Sequence, residues 1–203
     1  MSARKKVAVL ISGSGSNLQA LIDAAAAPDY PAEIVLVLSN KAEAFGLERA
    51  KKSGIETLVI DHKLYASREA FDAAMHDALT VRGIELVCLA GFMRLLSDGF
   101  VNLWHNRMIN IHPSLLPDFK GAHAHRDVLA AGAKISGCTV HFVRAQMDSG
   151  PIIAQATVPV EPGDSEETLA ARVLKEEHKL YPAALKRLAL GRIRVVNERV
   201  EPA

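Results

Sequence analysis

The sequence predicts an α/β fold, with a mostly parallel, twisted sheet of about seven strands and helices on both faces. Short apolar runs typical of strands buried on both faces recur along the chain, beginning with 7–11 and 34–38. Segments with helical spacing of apolar residues separate these runs, which favours parallel pairing through right-handed crossovers. Two later strands, 137–143 and 152–156, are joined by a connection too short for such a crossover, so we expect an antiparallel pair near the C-terminal part.

Length and composition narrow the class of protein. A chain of 203 residues that is 49% hydrophobic can bury one sizeable core, so we expect a single domain over 1–203, with its core at about 5–196 and frayed termini. The formal net charge of +1 gives no reason to expect a nucleic acid or an anionic membrane as partner. Only five apolar residues follow Arg4-Lys5-Lys6, too few for a signal peptide or a membrane span, so we expect a cytoplasmic protein. Cys88 and Cys138 stand alone in apolar sequence, as buried free thiols do.

A Gly/Ser-rich turn at 12–17 connects the first strand to a helix. Glycines let the backbone approach an anion, and the N–H groups at a helix N-terminus favour negative charge. The turn lacks the Gly-Lys-Ser/Thr of a nucleoside triphosphate loop and the third glycine of a dinucleotide loop. We therefore expect it to bind the phosphate of a mononucleotide-like substrate; the alternative is a tight turn ended by an ordinary Ser or Asn cap.

The next elements complete the parallel half of the sheet. Ser67 is a predicted N-cap for a helix that begins at Arg68, and Arg68 by itself has the character of a surface arginine. The apolar loop 91–96 either forms the edge of the core or lines a pocket for a flat heterocycle. The other predicted elements of this half are strand 34–38, helix 44–53, strand 57–60, strand 86–90 and a short helix from 97 to about 104.

The fifth strand, 107–112, delivers two polar side chains to its carboxyl end. Because side chains alternate along a strand, Asn110 and His112 point to one face, and Pro113 ends the ladder. Ligands of open α/β sheets bind at the carboxyl ends of strands. The alternative is that Asn110 caps a turn and His112 is a satisfied interior histidine.

Two carboxylates in the last third of the chain have open interpretations. Asp148, followed by Gly150-Pro151, is either a turn-forming aspartate or a carboxylate aimed at His112. The last helix is predicted to begin with Asp164 as N-cap and to end near 190. Glu177 falls within its apolar stripe, so its carboxylate either snorkels outward or has a specific cationic partner.

Three smaller predictions concern the connecting segments. His123 and His125 lack the sequence partners of a zinc site, so we expect no metal. The Leu116-Pro117 bond is a candidate cis peptide. The tail 193–196 is predicted to be a short edge strand, and 200–203 are expected to fray.

Several ordered motifs resemble those of the folate-dependent formyltransferases, and the resemblance covers nearly the whole chain. It implies a Rossmann-like formyltransferase fold. The Gly/Ser turn is similar to that of the branch that transfers a formyl group from 10-formyltetrahydrofolate to the amine of glycinamide ribonucleotide in de novo purine biosynthesis. We therefore expect small-molecule substrates. We also expect a monomer or a homodimer. The motifs are LISGSGSNLQALIDA, FGLERAKKSGI, SREAFD, LAGFMRLLS, NIHPSLLPDFKG, TVHFV, MDSGPIIAQ and GDSEETLAARV.

The resemblance also implies roles for individual residues. It implies a catalytic set of Asn110, His112 and Asp148. The phosphoribosyl part of the substrate would be held by Gly15, Ser16 and Asn17, and Glu177 would contact the substrate near its reacting amine. The folate would be held by Arg68, Met93, Arg94, Leu95, Leu96, Asn110, Arg144, Ala145, Gln146, Met147 and Asp148.

The residue types suit acyl transfer to an amine. A tetrahedral oxyanion needs hydrogen-bond donors, and the Asn110 amide and a protonated His112 can supply them. Asp148, if close to His112, would favour and orient its imidazolium. No Ser-His or Cys-His nucleophile arrangement is present in the sequence, so we expect direct transfer. Gly121-Ala122 is similar to the formyltetrahydrofolate hydrolases, which are the enzymatic alternative; a noncatalytic nucleotide- or folate-binding module is the other.

Overall fold

The computed structural model describes residues 3–203. Within these residues, seven strands form one sheet in the order β3-β2-β1-β4-β5-β6-β7, and two more form a separate hairpin. The elements are β1 Lys5–Ile11, α1 Ser16–Ala25, β2 Ala32–Ser39, α2 Gly46–Lys52, β3 Glu56–Val59, α3 Arg68–Val81, β4 Leu86–Leu89, α4 Asp98–Leu103, β5 Met108–His112, α5 Ala124–Ala130, β6 Ile135–Phe142, β7 Ile152–Pro159, α6 Glu166–Ala189, β8 Ile193–Val196 and β9 Arg199–Pro202, with a 3₁₀ turn at His62–Leu64.

The sheet combines a parallel half with an antiparallel half. Strands β1 to β5 pair in parallel, whereas β6 runs antiparallel to both β5 and β7. The order of the strands reverses between β1 and β4, and ligands of open α/β sheets bind in the crevice outside such a switch point. The fold class predicted from the sequence is confirmed, including the antiparallel pair β6 and β7.

Both faces of the sheet are buried, which explains the continuous apolar runs in the sequence. Along β1, Val7, Val9 and Ile11 pack into the core on the side of α1, α5 and α6. Ala8 and Leu10 pack on the opposite side, with α3 and α4. Because the alternation of side chains places every second residue on each face, a strand covered on both sides shows no polar alternation.

The N-terminus of α6 differs from the prediction by one residue. Ser165, not Asp164, is the N-cap, because its backbone is extended and its side chain accepts a hydrogen bond from the N–H of Thr168. The N–H of Ser165 in turn donates to the Thr168 hydroxyl oxygen, which completes a capping box. Asp164 instead forms an ion pair with Arg172, 2.7 Å between the nearest atoms.

The C-terminal residues form a hairpin: the predicted short edge strand at 193–196 is confirmed as β8, and the expected fraying of 200–203 is wrong. Strand β8 pairs antiparallel with β9, and the two form their own small sheet. Asn197 and Glu198 have positive φ angles of 48° and 56°, the conformation of a two-residue hairpin turn that matches strand twist. At the other terminus the expected fraying concerns Met1 and Ser2, which lie outside the described residues.

Several local predictions are confirmed. Ser67 caps α3 by accepting a hydrogen bond from the N–H of Ala70. Cys88 and Cys138 are buried free thiols. The Leu116-Pro117 bond is cis.

No helix within residues 3–203 combines the length and the apolar character needed to cross a membrane.

Candidate active site

The carboxyl end of β5 brings the three predicted catalytic side chains together. Asn110 and His112 lie on the same face of β5, and the loop between β6 and β7 places Asp148 beside them. Asp148 Oδ2 lies 3.5 Å from His112 Nδ1, and Asp148 is buried. Asp148 fits both interpretations of the sequence. Its backbone is left-handed, with a φ of 50°, as in a turn-forming residue. Its carboxylate is also aimed at His112.

Both ring nitrogens of His112 face hydrogen-bond acceptors. His112 Nε2 donates to the carbonyl oxygen of Phe119 at 2.9 Å, and Nδ1 faces Asp148 Oδ2. The same Asp148 oxygen accepts a hydrogen bond from the N–H of Gly121 at 2.9 Å. The loop that follows β5 thus contacts both the imidazole and the carboxylate. Access of a substrate to Nε2 requires the Phe119 carbonyl to give way.

His141 is a member of this cluster that sequence reasoning missed. It lies opposite Asn110 in the antiparallel ladder, and Asn110 Nδ2 lies 3.2 Å from His141 Nε2. His141 Nδ1 donates to the Phe142 carbonyl at 2.9 Å, which leaves Nε2 as the acceptor for the Asn110 amide. Burial lowers the pKa of His141, so the ring is held neutral and able to accept. The pairing register of β5 with β6 places His141 opposite Asn110, and this register cannot be read from the sequence alone.

Glu177 reaches the site from α6 and lacks a cationic partner among the described residues. Only 6% of Glu177 is exposed, and its Oε2 accepts a hydrogen bond from Asn17 Nδ2 at 2.8 Å. The partner is therefore an amide, which corrects the expectation of a snorkelling carboxylate or an ion pair. Burial raises the pKa of Glu177, while the Asn17 hydrogen bond and the charge of His112 act in the opposite direction. A buried carboxylate with so little compensation favours a cationic group beside it.

The Gly/Ser turn, predicted from the sequence to cradle a phosphate, forms the N-terminus of α1. Gly15 is the N-cap with φ 71°, and no side chain caps the helix, so the alternative of an ordinary Ser or Asn cap is wrong. A Cβ at Gly15 would lie 2.7 Å from the Cα of Gly46, so α2 packs closely on the turn. Asn17, which contacts Glu177, extends from the first turn of α1. The cradle and the buried carboxylate are thus neighbours.

Two buried side chains fix the apolar loop after β4. Ser12 Oγ accepts a hydrogen bond from the N–H of Met93 at 2.8 Å, and Asp72 Oδ2 accepts one from the N–H of Ser97 at 2.6 Å. Between these anchors, Met93 and Leu95 are 64% and 63% exposed. Large apolar side chains held in the open suit the binding of a flat heterocycle. Sequence reasoning missed Ser12 and Asp72, because their partners are backbone N–H groups distant along the chain.

Two of the three predicted folate-binding arginines, Arg68 and Arg144, have different surroundings. Arg68, in the first turn of α3, lines a groove of about 440 Å³ between α3 and α4, next to Asp72. The guanidinium of Arg144 is already bound by Glu198 and Asn106. The remaining predicted folate residues lie in the loops after β4 and β6. Arg94 and Leu96 are in the first loop, and Ala145, Gln146 and Met147 are in the second.

The described residues 3–203 contain no group of three or more His, Cys, Asp or Glu side chains suited to hold a metal ion. His123 is exposed, and His125 packs in the first turns of α5.

Comparison with known proteins decides the family. Residues 5–185 match the family model described as formyl transferase. The chain belongs to the formyl transferase family. The seven-stranded sheet and the cluster after β5 both lie within the matched residues.

Relatives within the formyl transferase family are similar over nearly the whole chain. The chain is 47% identical over 189 residues to phosphoribosylglycinamide formyltransferase of Escherichia coli (strain K12), covering 93% of this chain and 89% of that protein. It is 55% identical over 192 residues to the trifunctional purine biosynthetic protein adenosine-3 of Bos taurus, covering 95% of this chain but 19% of that protein. The chain thus spans about a fifth of the length of that relative.

A solved structure shows the same architecture. Glycinamide ribonucleotide transformylase 1 from Symbiobacterium toebii superposes with a TM-score of 0.97 at 48% identity, covering 100% of this chain and 95% of that chain. The match includes the C-terminal hairpin, because it extends over the full length of the chain.

Proposed function

We propose that this protein transfers the formyl group of 10-formyltetrahydrofolate to the amine of glycinamide ribonucleotide, a step of de novo purine biosynthesis. The observation that carries the proposal is the juxtaposition of the Asn110, His112 and Asp148 cluster with a buried, uncompensated Glu177 beside a phosphate cradle. Relatives bearing the name of this activity are 47% identical over most of the chain. We further propose that the reaction takes place in the cytoplasm, on small molecules, within one domain.

The chemistry requires one bond to form and one to break. The amine nitrogen bonds to the formyl carbon, the carbon–N10 bond breaks, the amine loses a proton and N10 gains one. A tetrahedral centre with a negatively charged oxygen lies between the two events, so the site must supply donors to oxygen and a route for the proton.

We assign the oxygen donors to Asn110 and His112. The Asn110 amide is oriented by neutral His141, and its remaining N–H can point to the oxyanion. His112, faced by Asp148, donates a second hydrogen bond from Nε2 once the Phe119 carbonyl has moved away. Asp148 stabilises the imidazolium and orients its ring. The transfer is direct, because neither residue is a nucleophile activated by a neighbouring base.

We assign the amine of the ribonucleotide to Glu177. A substrate ammonium is the cationic group that this buried carboxylate lacks, and an ion pair would compensate its burial. The ammonium releases one proton to solvent before the neutral amine attacks the formyl carbon. The phosphate would then lie on the backbone N–H groups at the start of α1, near Gly15, Ser16 and Asn17. The spacing of cradle and carboxylate on α1 and α6 sets the orientation of the ribonucleotide.

We assign the folate to the two loops that flank Asn110. Exposed Met93 and Leu95 in the loop after β4, and exposed Met147 in the loop after β6, offer apolar contacts to its ring system. Arg68 would meet an anionic part of the same molecule, since it lies half exposed at the N-terminus of α3.

A spectroscopic assay of formyl-donor consumption tests the proposal. We expect 10-formyltetrahydrofolate, or a deaza analogue, to be consumed only when glycinamide ribonucleotide is present, with one formylated ribonucleotide formed per donor consumed. Equal consumption without the ribonucleotide, with release of formate, would show a hydrolase. Binding of both ligands without turnover would show a noncatalytic module.

A further inference from the structure

The C-terminal hairpin lies against the segment that carries Asp148. Its turn, formed by Asn197 and Glu198, faces the chain directly after Asp148 across a groove of about 400 Å³. The groove is lined by Gly150, Pro151, Ile152, Glu198, Arg199 and Val200. The proposed reaction uses none of these residues, so the contact calls for another explanation.

The same turn also holds the residue at the start of that segment. Glu198 Oε2 accepts a hydrogen bond from Arg144 Nε at 2.7 Å, and Oε1 accepts one from Nη2 at 3.2 Å. This two-point geometry is the strongest that an arginine and a carboxylate form. Although Glu198 is exposed, only 13% of the Arg144 side chain is exposed. Arg144 also holds the pKa of Glu198 below its ordinary value, with a smaller contribution from His105.

Arg144 connects the hairpin to the frame of the active site. Its Nη2 donates to Asn106 Oδ1 at 2.8 Å, and its Nη1 donates to the Val143 carbonyl at 3.0 Å. Asn106 lies in the turn before β5, the strand that carries Asn110 and His112. The guanidinium therefore joins three segments: the hairpin, the approach to β5 and the start of the Asp148 loop.

The far end of the loop is fixed by the backbone alone. The N–H of Phe142 donates to the Pro151 carbonyl at 2.9 Å, and a Cβ at Gly150 would lie 1.8 Å from the Phe142 oxygen. Between these ends, Asp148 has a left-handed φ of 50°, a conformation that surrounding structure must maintain in a residue with a side chain. Arg144 is thus the side-chain anchor on the near side of a strained residue.

We propose that Glu198 is a positioning residue, which fixes Arg144 and thereby holds loop 144–148 where Asp148 meets His112 and the loop backbone meets the formyl donor. This inference rests on the proposed function for its effect on catalysis, but not for its effect on the loop. The hairpin is then part of the donor side of the site. The ribonucleotide side, built on α1 and α6, does not depend on it.

The test compares Glu198→Ala with the control Glu201→Ala. Glu201 lies on the same hairpin and pairs only with exposed Arg194 at 4.0 Å, away from the Asp148 loop. In Glu198→Ala we expect amide hydrogen exchange of a peptide spanning 144–149 to rise about fivefold or more, as loss of a partly buried charged hydrogen bond would give. Exchange in α6 and the melting temperature should stay as in the control.

Steady-state kinetics supply the second readout. In Glu198→Ala we expect the KM for the formyl donor to rise about fivefold, while the KM for the ribonucleotide stays unchanged, and Glu198→Gln should recover part of the loss because it retains an acceptor. Unchanged exchange and unchanged donor KM in Glu198→Ala would overturn the proposal, as would equal changes in Glu201→Ala. The exchange measurement needs no substrate, so an inactive wild-type protein would count against the proposed function and not against the role of Glu198.

Discussion

The two buried carboxylates of the site lie in regions that compensate charge differently. Asp148, in the antiparallel half, faces His112 at 3.5 Å and His141 at 3.8 Å and accepts the N–H of Gly121. Glu177, on α6, has the Asn17 amide as its sole hydrogen-bond donor among the described residues. Both are almost wholly buried, so the difference lies in their partners.

The difference assigns the two carboxylates to different tasks. Asp148 accepts the N–H of Gly121 and faces the His112 ring within the protein itself, and it can therefore hold His112 in place whether or not substrate is bound. Glu177 carries a burial cost that its one amide does not offset, and a bound ammonium would reduce that cost. The first region is built for the chemical step, and the second for recognition of the amine.

The largest expected effect is that of removing the imidazole. His112→Ala should slow formyl transfer by about two orders of magnitude or more while the fold is retained, because it removes the proton-carrying donor. Single-turnover kinetics and circular dichroism measure the two quantities. His123→Ala, an exposed histidine of the next loop, is the matched control and should leave the rate unchanged. A near-normal rate in His112→Ala would show that His112 does not take part in the chemical step.

The next effect separates the two carboxylates. Glu177→Gln should lower kcat/KM for the ribonucleotide by tenfold or more, with little change in the donor KM, because the ion pair to the amine is lost. The same variant should be more stable than the wild type at neutral pH. The raised pKa of Glu177 means that its contribution to folding is complete below its ordinary value of 4.5 and is lost as the pH rises through the folded-state pKa.

Urea unfolding at several pH values measures this stability difference. Glu176→Gln, a neighbouring glutamate that pairs with Lys179 on the surface, is the control and should show neither effect. A Glu177→Gln variant that is less stable than the wild type at neutral pH would mean that the buried charge is compensated after all.

A smaller effect tests whether His141 orients Asn110. His141→Ala should lower kcat about tenfold, since the Asn110 amide loses its acceptor and its fixed orientation. Because burial lowers the pKa of His141, its contribution to stability is present above its ordinary value of 6.5 and is lost as the pH falls through the folded-state pKa. The variant should lack this loss on acidification. An unchanged kcat would show that Asn110 needs no partner on β6.

The smallest effect concerns the single donor to Glu177. Asn17→Ala should cost about 1 kcal/mol of stability at neutral pH, the usual worth of one hydrogen bond, and raise the pKa of Glu177 further. Gln19→Ala, which removes an exposed hydrogen bond to Asp23 on the same helix, is the control. If both variants behave alike, the Asn17 amide does not stabilise the charge of Glu177.

The sequence predicted the features that depend on local pattern. Apolar runs and caps gave the strands, the helices and the position of Asn110 and His112 at the end of β5, since these follow from side-chain alternation and hydrogen bonding within a few residues. The cap of α6 was displaced by one residue, because Asp164 and Ser165 are both good caps and the pairing of Asp164 with Arg172 decided between them.

Features that depend on the register between distant segments could not be predicted from the sequence. The contact of His141 with Asn110 needs the ladder of β5 on β6, and the amide partner of Glu177 needs the approach of α1 to α6. Strand 193–196 was predicted from its alternation, but its partner 199–202 was missed, because that segment carries little apolar alternation and its stability comes from pairing.

Carbon NMR of glutamate-labelled protein tests the contrast between the two regions most directly. The Glu177 carboxyl signal is assigned by its disappearance in Glu177→Gln, and its titration is followed with and without glycinamide ribonucleotide. We predict a titration midpoint above that of an ordinary glutamate in the free protein and a fall in that midpoint when the ribonucleotide binds. A midpoint that is ordinary in the free protein, or that does not move on binding, would contradict the account.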